Sequence, residues 1–209
     1  MTNPSVVPRR TPGTSKLPRA VREEQLLDAA VREFGAVGYA AASLAAIADR
    51  AGVSKALVLT YFGSKESLFV ACVNGVGDPM IEAIERVITT PQPPVRMAEA
   101  TLAAIFMVLE SRPQAWNVIN ERGLPAGGPA AAAADRVRRT IAGQASRGVS
   151  RLTDLDLVHD ADDLSVLTEV WMSSVTAVVN WWLRHPDRAA TEMSDRSARV
   201  LRIITGTGS

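Results

Sequence analysis

The sequence predicts an all-α protein of about nine helices, and three observations carry that expectation. Apolar residues recur at spacings of three and four rather than in alternation. Alanine is abundant while aromatic residues make up only 5% of the chain. Serines stand directly ahead of several periodic stretches, where a hydroxyl can accept from the free N–H groups of a first helical turn. At 209 residues and 47% apolar content, the chain can bury a large core in one compact unit or two small ones.

Residues 1–18 hold four prolines and no apolar period, which predicts a disordered arm. The first helix begins near Pro18 with Val21, Leu26, Leu27, Ala30, Val31 and Phe34 on one face, and "GAVGY" is expected to end it at about Gly35. Ser43 caps a short helix to about Arg50, Gly52 allows a tight turn, and Ser54 caps a third helix ending near Gly63. Ser64 caps a fourth, in which "NGVGDPM" predicts a kink or break before a continuation to about Ile88. After the loop "TTPQPP", helices are expected at 94–110, at 112–122 with Pro113 in the first turn, at 129–152, at 161–185 and at 189–205.

Charge divides the chain. Arg9, Arg10, Lys16, Arg19 and Arg22 stand in the first 22 residues without an acid, against a net charge of +1 for the whole. A basic front end on a near-neutral body suits a chain that meets a polyanion at one end. Cys72 is the single cysteine, so no intrachain disulfide is possible, and its setting in "SLFVACV" reads as a small buried hydrophobe. No continuous apolar stretch opens the chain and no uninterrupted run reaches the length of a membrane span, so a cytoplasmic protein with no membrane partner is expected. His159 and His185 are the only histidines, and neither has metal-ligand spacing. No nucleophile motif or phosphate loop accompanies them, so neither an enzyme nor a cofactor or metal is expected.

The second and third helices with their glycine turn form a helix-turn-helix motif at about 43–62, in which Ile47, Ala51 and Val53 pack the pair at a steep angle. Residues 26–69, "LLDAAVREFGAVGYAAASLAAIADRAGVSKALVLTYFGSKESLF", resemble the N-terminal domain of the TetR family of transcriptional regulators. The landmarks include Phe34, Gly38, Tyr39, Ser43, Ile47, Ala51, Gly52, Val53, Tyr61, Phe62, Lys65 and Phe69. The resemblance implies a three-helix DNA-binding domain at 19–65 and a helical ligand-binding and dimerisation domain at 66–209. It further implies a homodimer on a roughly palindromic operator in double-stranded DNA, usually a repressor, released by a small-molecule effector. The sequence departs from the family pattern at the reading positions: Ala45, Ala46, Ala56, Leu57, Leu59 and Thr60 stand where more polar or different residues are common.

Site residues follow from facing and chemistry. Ser43 and Ser54 cap helices whose N-termini can also face phosphates. Lys55 is expected on a phosphate or a guanine, Ala56 allows close approach, and Leu57 is expected on the exposed side against a thymine methyl, with Val58 and Phe62 in the core. Thr60 and Tyr61 can donate to phosphates, though Tyr61 reads equally well as a packed ring. Lys65 resembles the family's phosphate-contacting lysine. Arg19, with Arg9, Arg10 and Lys16, either enters a minor groove or adds non-specific affinity. Farther along, "LSVLTEVWMSSVTAVVNWWL" is apolar nearly all round, so one face serves the core and another a partner. Ser173, Ser174, Ala177 and Trp181 with Met193, Val200, Leu201 and Ile204 are the expected dimer interface, although a core within one subunit fits the same pattern. An apolar ligand pocket is expected from Phe106, Met107, Trp116, Asn117, Asn120 and Glu121 with Trp171, Met172, Thr176 and Asn180. The alternative reading is a helical ligand-binding or scaffold protein without sequence-specific DNA binding.

Overall fold

A computed structural model describes residues 17–153 and 158–206. Among them, all regular structure is helical: α1 (Arg19–Ala41), α2 (Leu44–Ala51), α3 (Lys55–Phe62), α4 (Lys65–Thr89), α5 (Pro94–Leu109), α6 (Ala115–Ile119), α7 (Pro129–Ser150), α8 (Ala161–Leu183) and α9 (Ala190–Thr205). The expected basic arm, with Arg9, Arg10 and Lys16, lies outside the described residues except for Leu17 and Pro18.

The short helices start where serines hold their first turns. Ser43 Oγ accepts from Ala46 N at 3.0 Å, Ser54 Oγ from Leu57 N at 3.2 Å and Ser64 Oγ from Ser67 N at 2.9 Å. Gly52 closes α2 in the left-handed region, at φ 65° and ψ 36°, a conformation that costs a side chain strain and glycine nothing. Ile47 and Val58 are fully buried between α2 and α3, and Ala51 beside them is nearly so. Gln25 ties α1 to this pair by donating to Ala51 O at 2.8 Å. Phe34, Tyr39 and Phe69 form an aromatic knot where α1 meets α4, with Phe69 edge-on to Phe34 at 5.0 Å and to Tyr39 at 5.1 Å.

Two boundaries differ from expectation for physical reasons. The first helix does not stop at Gly35. Its break comes at Gly38, with φ 78°, and the Ala42 N–H reaches back to Gly38 O at 3.2 Å. Gly35 is there for clearance, since a Cβ would lie 2.5 Å from Gln114 O. Nor does α4 break at "NGVGDPM"; it runs unbroken through Pro79. Proline costs a helix one hydrogen bond, but here Val76, Met80 and Ile84 are buried and hold the helix by tertiary packing. Gly77 lets α7 come close, since a Cβ would stand 2.5 Å from Val137 Cγ2. By length and composition α4 could cross a bilayer, yet half of its most apolar window is buried inside the protein, as in a core helix.

Helix α4 is therefore one rod through both halves of the molecule. Its first turns carry Leu68 and Phe69 into the core beneath the helix-turn-helix. Its later turns pack on α5 and α7, with α9 against α5 and α8 against α7.

Candidate nucleic-acid interface and apolar cavity

The outer surface of α3 is set by its cap. Ser54, Lys55 and Ala56 are exposed at the helix start, where unbonded N–H groups and the positive end of the helix dipole face outward. Val58 is fully buried, as expected. Leu57 is half-buried rather than exposed, and Leu59, at 38% exposure, is the more open of the two. The expectation that Leu57 stands on the exposed side is corrected, because the packing of α3 on α2 leaves it partly covered. Thr60 is exposed, and its hydroxyl donates to Ala56 O at 2.9 Å, which leaves its oxygen to accept. Tyr61 packs its ring against the core and receives the Arg19 guanidinium at 5.4 Å from the ring centroid, so the described end of the arm is held beside α3. Lys65 Nζ donates to Ala40 O at 3.3 Å and sits 4.7 Å from the Tyr39 centroid, which joins the start of α4 to the end of α1. Ser43 is exposed at the start of α2.

A second feature lies in the C-terminal half, a cavity of about 920 Å³ among α4 to α9 with an almost wholly apolar wall. Of the expected pocket residues, Trp116, Trp171 and Met172 line it. The others do not. Phe106 is buried in the core, edge-on to Trp182 at 5.3 Å. Met107 is 51% exposed and faces a shallow outer groove between α4 and α5. Asn117 turns toward the other half of the molecule and donates to Gly35 O at 2.9 Å, while Asn120 donates to Trp116 O at 2.9 Å. Thr176 is exposed and bonds its own helix at Met172 O, and Asn180 is half-buried away from the wall. Glu121 accepts from Tyr39 N at 2.9 Å, so it too serves the joint with α1.

Several residues expected between subunits also stand around this cavity. Met193 is fully buried within its own chain, so it is no surface residue. Ser174, Ala177, Trp181, Val200, Leu201 and Ile204 border the cavity, with Leu201 and Trp181 packed against the core, while Ser174 and Ala177 also border an outer groove on α8 and Val200 and Ile204 stay exposed at the cavity rim. The physical reason is that α8 and α9 pack on different partners, α7 and α5, and turn apolar residues toward the space between them. Ser173 does face outward, in a groove on α8 with Val166, Glu169 and Val170. Outward-facing apolar residues remain on both helices: Val166 and Val170 on α8, and Val200, Ile203 and Ile204 on α9.

Sequence reasoning missed the wall residues on α4, α5 and α7, among them Met80, Ile105 and Gln144. A signal for Gln144 was present, because it interrupts the apolar stripe Val137, Ile141, Ala145 and Gly148 at helical spacing.

The two features touch through α6. Trp116 lines the cavity, while its neighbour Asn117 bonds α1 at Gly35 O. Arg112, just ahead of α6, pairs with Asp28 and Glu24 on α1. At the start of α7, Ala130 N donates to Glu66 Oε1 on the first turn of α4 at 3.3 Å. Cys72, buried on α4, is inert by environment, since burial pushes its thiol up to about 12. His185 stacks on Trp181 with ring centroids 3.8 Å apart, and among the described residues no cluster of three or more His, Cys, Asp or Glu could hold a metal.

Residues 26–72 match the family model described as bacterial regulatory proteins, tetR family. The chain is similar to the HTH-type transcriptional activator FasR of Mycolicibacterium smegmatis, 35% identical over 107 residues, which is 51% of this chain and 49% of that protein. It therefore spans about half the length of that relative. It is also similar to the HTH-type transcriptional repressor KstR of the same species, 24% identical over 208 residues, or 99% of this chain and 97% of KstR. Among solved structures it resembles the regulator FadR from Bacillus subtilis in complex with stearoyl-CoA, with a TM-score of 0.64 over 85% of this chain and 96% of that one. At 16% identity that likeness is one of fold.

Proposed function

We propose that this chain, whose residues 26–72 match the tetR family model, is a regulator of that family that represses transcription as a dimer on a roughly palindromic operator and is released by a small apolar effector. The observation that carries this reading is the placement of α6, which touches both the cavity and α1. A ligand that displaces Trp116 must move α6, and α6 is bonded to the helix on which the helix-turn-helix rests. The continuous α4 carries the same displacement to Leu68 and Phe69 under α2 and α3. Interfaces of packed side chains have discrete arrangements, so a small shift at the wall can be converted into a rotation of the DNA-binding unit. FadR in its stearoyl-CoA complex gives a precedent of the same fold for a ligand with a long apolar acyl chain.

On DNA, the exposed start of α3 enters a major groove of each half-site, and the dimer sets the spacing of about one helical turn. Lys55 and the N-termini of α2 and α3 supply mainly backbone contacts, and Ala56 and Leu59 probe groove shape and thymine methyls. Lys65, with Thr60 and Tyr61, borders the same surface. Domain limits at 19–65 and 66–209, a cytoplasmic location and the absence of catalysis belong to the same proposal.

The test is competition binding by fluorescence anisotropy on DNA from upstream of the protein's own gene. The expected result is saturable binding that resists scrambled competitor, weakens with salt and, for Lys55→Ala, weakens by about tenfold with a salt slope shallower by about one. Equal displacement by scrambled DNA would instead support the scaffold reading.

A further inference from the structure

Hydroxyl groups of the cavity wall are committed to their own helices. Thr101 donates its hydroxyl hydrogen to Met97 O at 2.8 Å, Ser174 to Val170 O at 2.8 Å and Ser197 to Met193 O at 2.7 Å. Each hydroxyl is thereby committed to its own helix and turns only lone pairs to its surroundings. The single cation of the described wall is Arg196, on α9. One end of its guanidinium reaches Glu192 at 3.0 Å and the group lies 5.5 Å from the Trp181 centroid, while its Nε is buried with no hydrogen-bond partner among the described residues.

Gln144 is the exception to the apolar interior. It lies in the wall with no residual exposure. Its Nε2 donates to Ile81 O at 2.8 Å and to Glu85 Oε2 at 2.8 Å. An amide NH2 has two hydrogens, and these two acceptors use both. Hydrogen bonding from Gln144 holds the Glu85 carboxyl below its ordinary value, with Arg147 adding to the effect, so Glu85 is an ionised acceptor at neutral pH. Flipping the amide would set Oε1 against a carboxylate and a carbonyl, so the orientation is determined by the neighbours. Oε1 is left buried, with no hydrogen-bond partner among the described residues. An unpaired buried acceptor costs about 1–3 kcal/mol, which a ligand's donor can recover.

We propose that the cavity takes an apolar ligand bearing a hydroxyl or N–H group, and that Gln144 Oε1 accepts a hydrogen bond from that group. This rests on the cavity being the effector site. A ligand with only acceptors at that end, such as an ether, an ester or a ketone, leaves Oε1 unpaired and is discriminated against.

The experiment compares n-decanol with methyl nonyl ether, which match in carbon and oxygen content and differ in the donor. Binding is read from tryptophan fluorescence, since Trp116, Trp171 and Trp181 stand in the wall. The alcohol is expected to bind about tenfold tighter than the ether, and Gln144→Met is expected to bring the two within about twofold. Equal binding to the unmutated protein overturns the proposal and leaves the effector cavity standing, as when a trapped water satisfies Oε1. Binding of neither probe overturns both. If Gln144→Met fails to fold, the comparison on the unmutated protein decides alone.

Discussion

Leu57 and Leu59 stand two positions apart on α3, about 200° around the helix, so their side chains meet different surroundings. Leu57 is half-buried beside the fully buried Val58, and Leu59 is the open one. Truncating Leu59 should leave the melting temperature unchanged and relax the preference between operator variants by several-fold, as loss of a methyl contact does. Truncating Leu57 should cost about 1 kcal/mol of stability, the middle of the usual range for a partly buried aliphatic side chain. Thermal melts and a binding series over single-base operator variants check the pair. The opposite pattern would return the reading role to Leu57. Which of two leucines faces out depends on how a two-turn helix packs on α2, and the residue types are the same either way.

At the level of elements, the joint between the halves is made by close approach. Gly35 on α1 lies so near Gln114 that a methyl group would meet a backbone oxygen, and backbone cannot swing aside as a flexible side chain can. Gly35→Ala should therefore push α6 away from α1. A destabilisation of about 2 kcal/mol is expected from overpacking, which for a chain of this size lowers the melting temperature by roughly 4–8 °C. The same variant should blunt the loss of DNA binding on adding an apolar ligand, because Asn117 can no longer hold Gly35 O. A full ligand response in Gly35→Ala would show that the signal travels along α4 alone. The three serine caps and the extents of α5 and α7 to α9 were legible within a few residues, because caps and prolines act locally. The unbroken α4 was not legible, because what rescues Pro79 is packing against helices remote in sequence.

For the molecule as a whole, the open question is what covers the apolar residues left on α8 and α9. Val166 is 61% exposed and Ile203 77% exposed, and neither lines the cavity. Large exposed aliphatics on two adjacent terminal helices suit a symmetric partner, as the family resemblance implies. If the proposed dimer uses this face, the double variant Val166→Glu with Ile203→Glu should shift it to monomer in sedimentation, raising the dissociation constant by about a hundredfold, since two carboxylates per subunit would have to be buried unpaired. Retention of the dimer would place the interface elsewhere. DNA affinity should fall in parallel, because two half-sites bound by a dimer are then bound singly.

Local patterns determined the helical class, the order of elements and the helix-turn-helix, since caps, periodicity and the turn glycine each act within a few residues of chain. The same patterns marked α8 and α9 as doubly apolar without saying which face met what. Only the tertiary structure decided that Met193, Trp181 and Leu201 turn into a cavity while Val166 and Ile203 remain outside. It also decided that Asn117 and Glu121 serve the joint with α1 rather than the pocket. The reason is that an apolar side chain has no directional preference of its own. Its role is assigned by the helices that happen to pack beside it, and those lie tens of residues away.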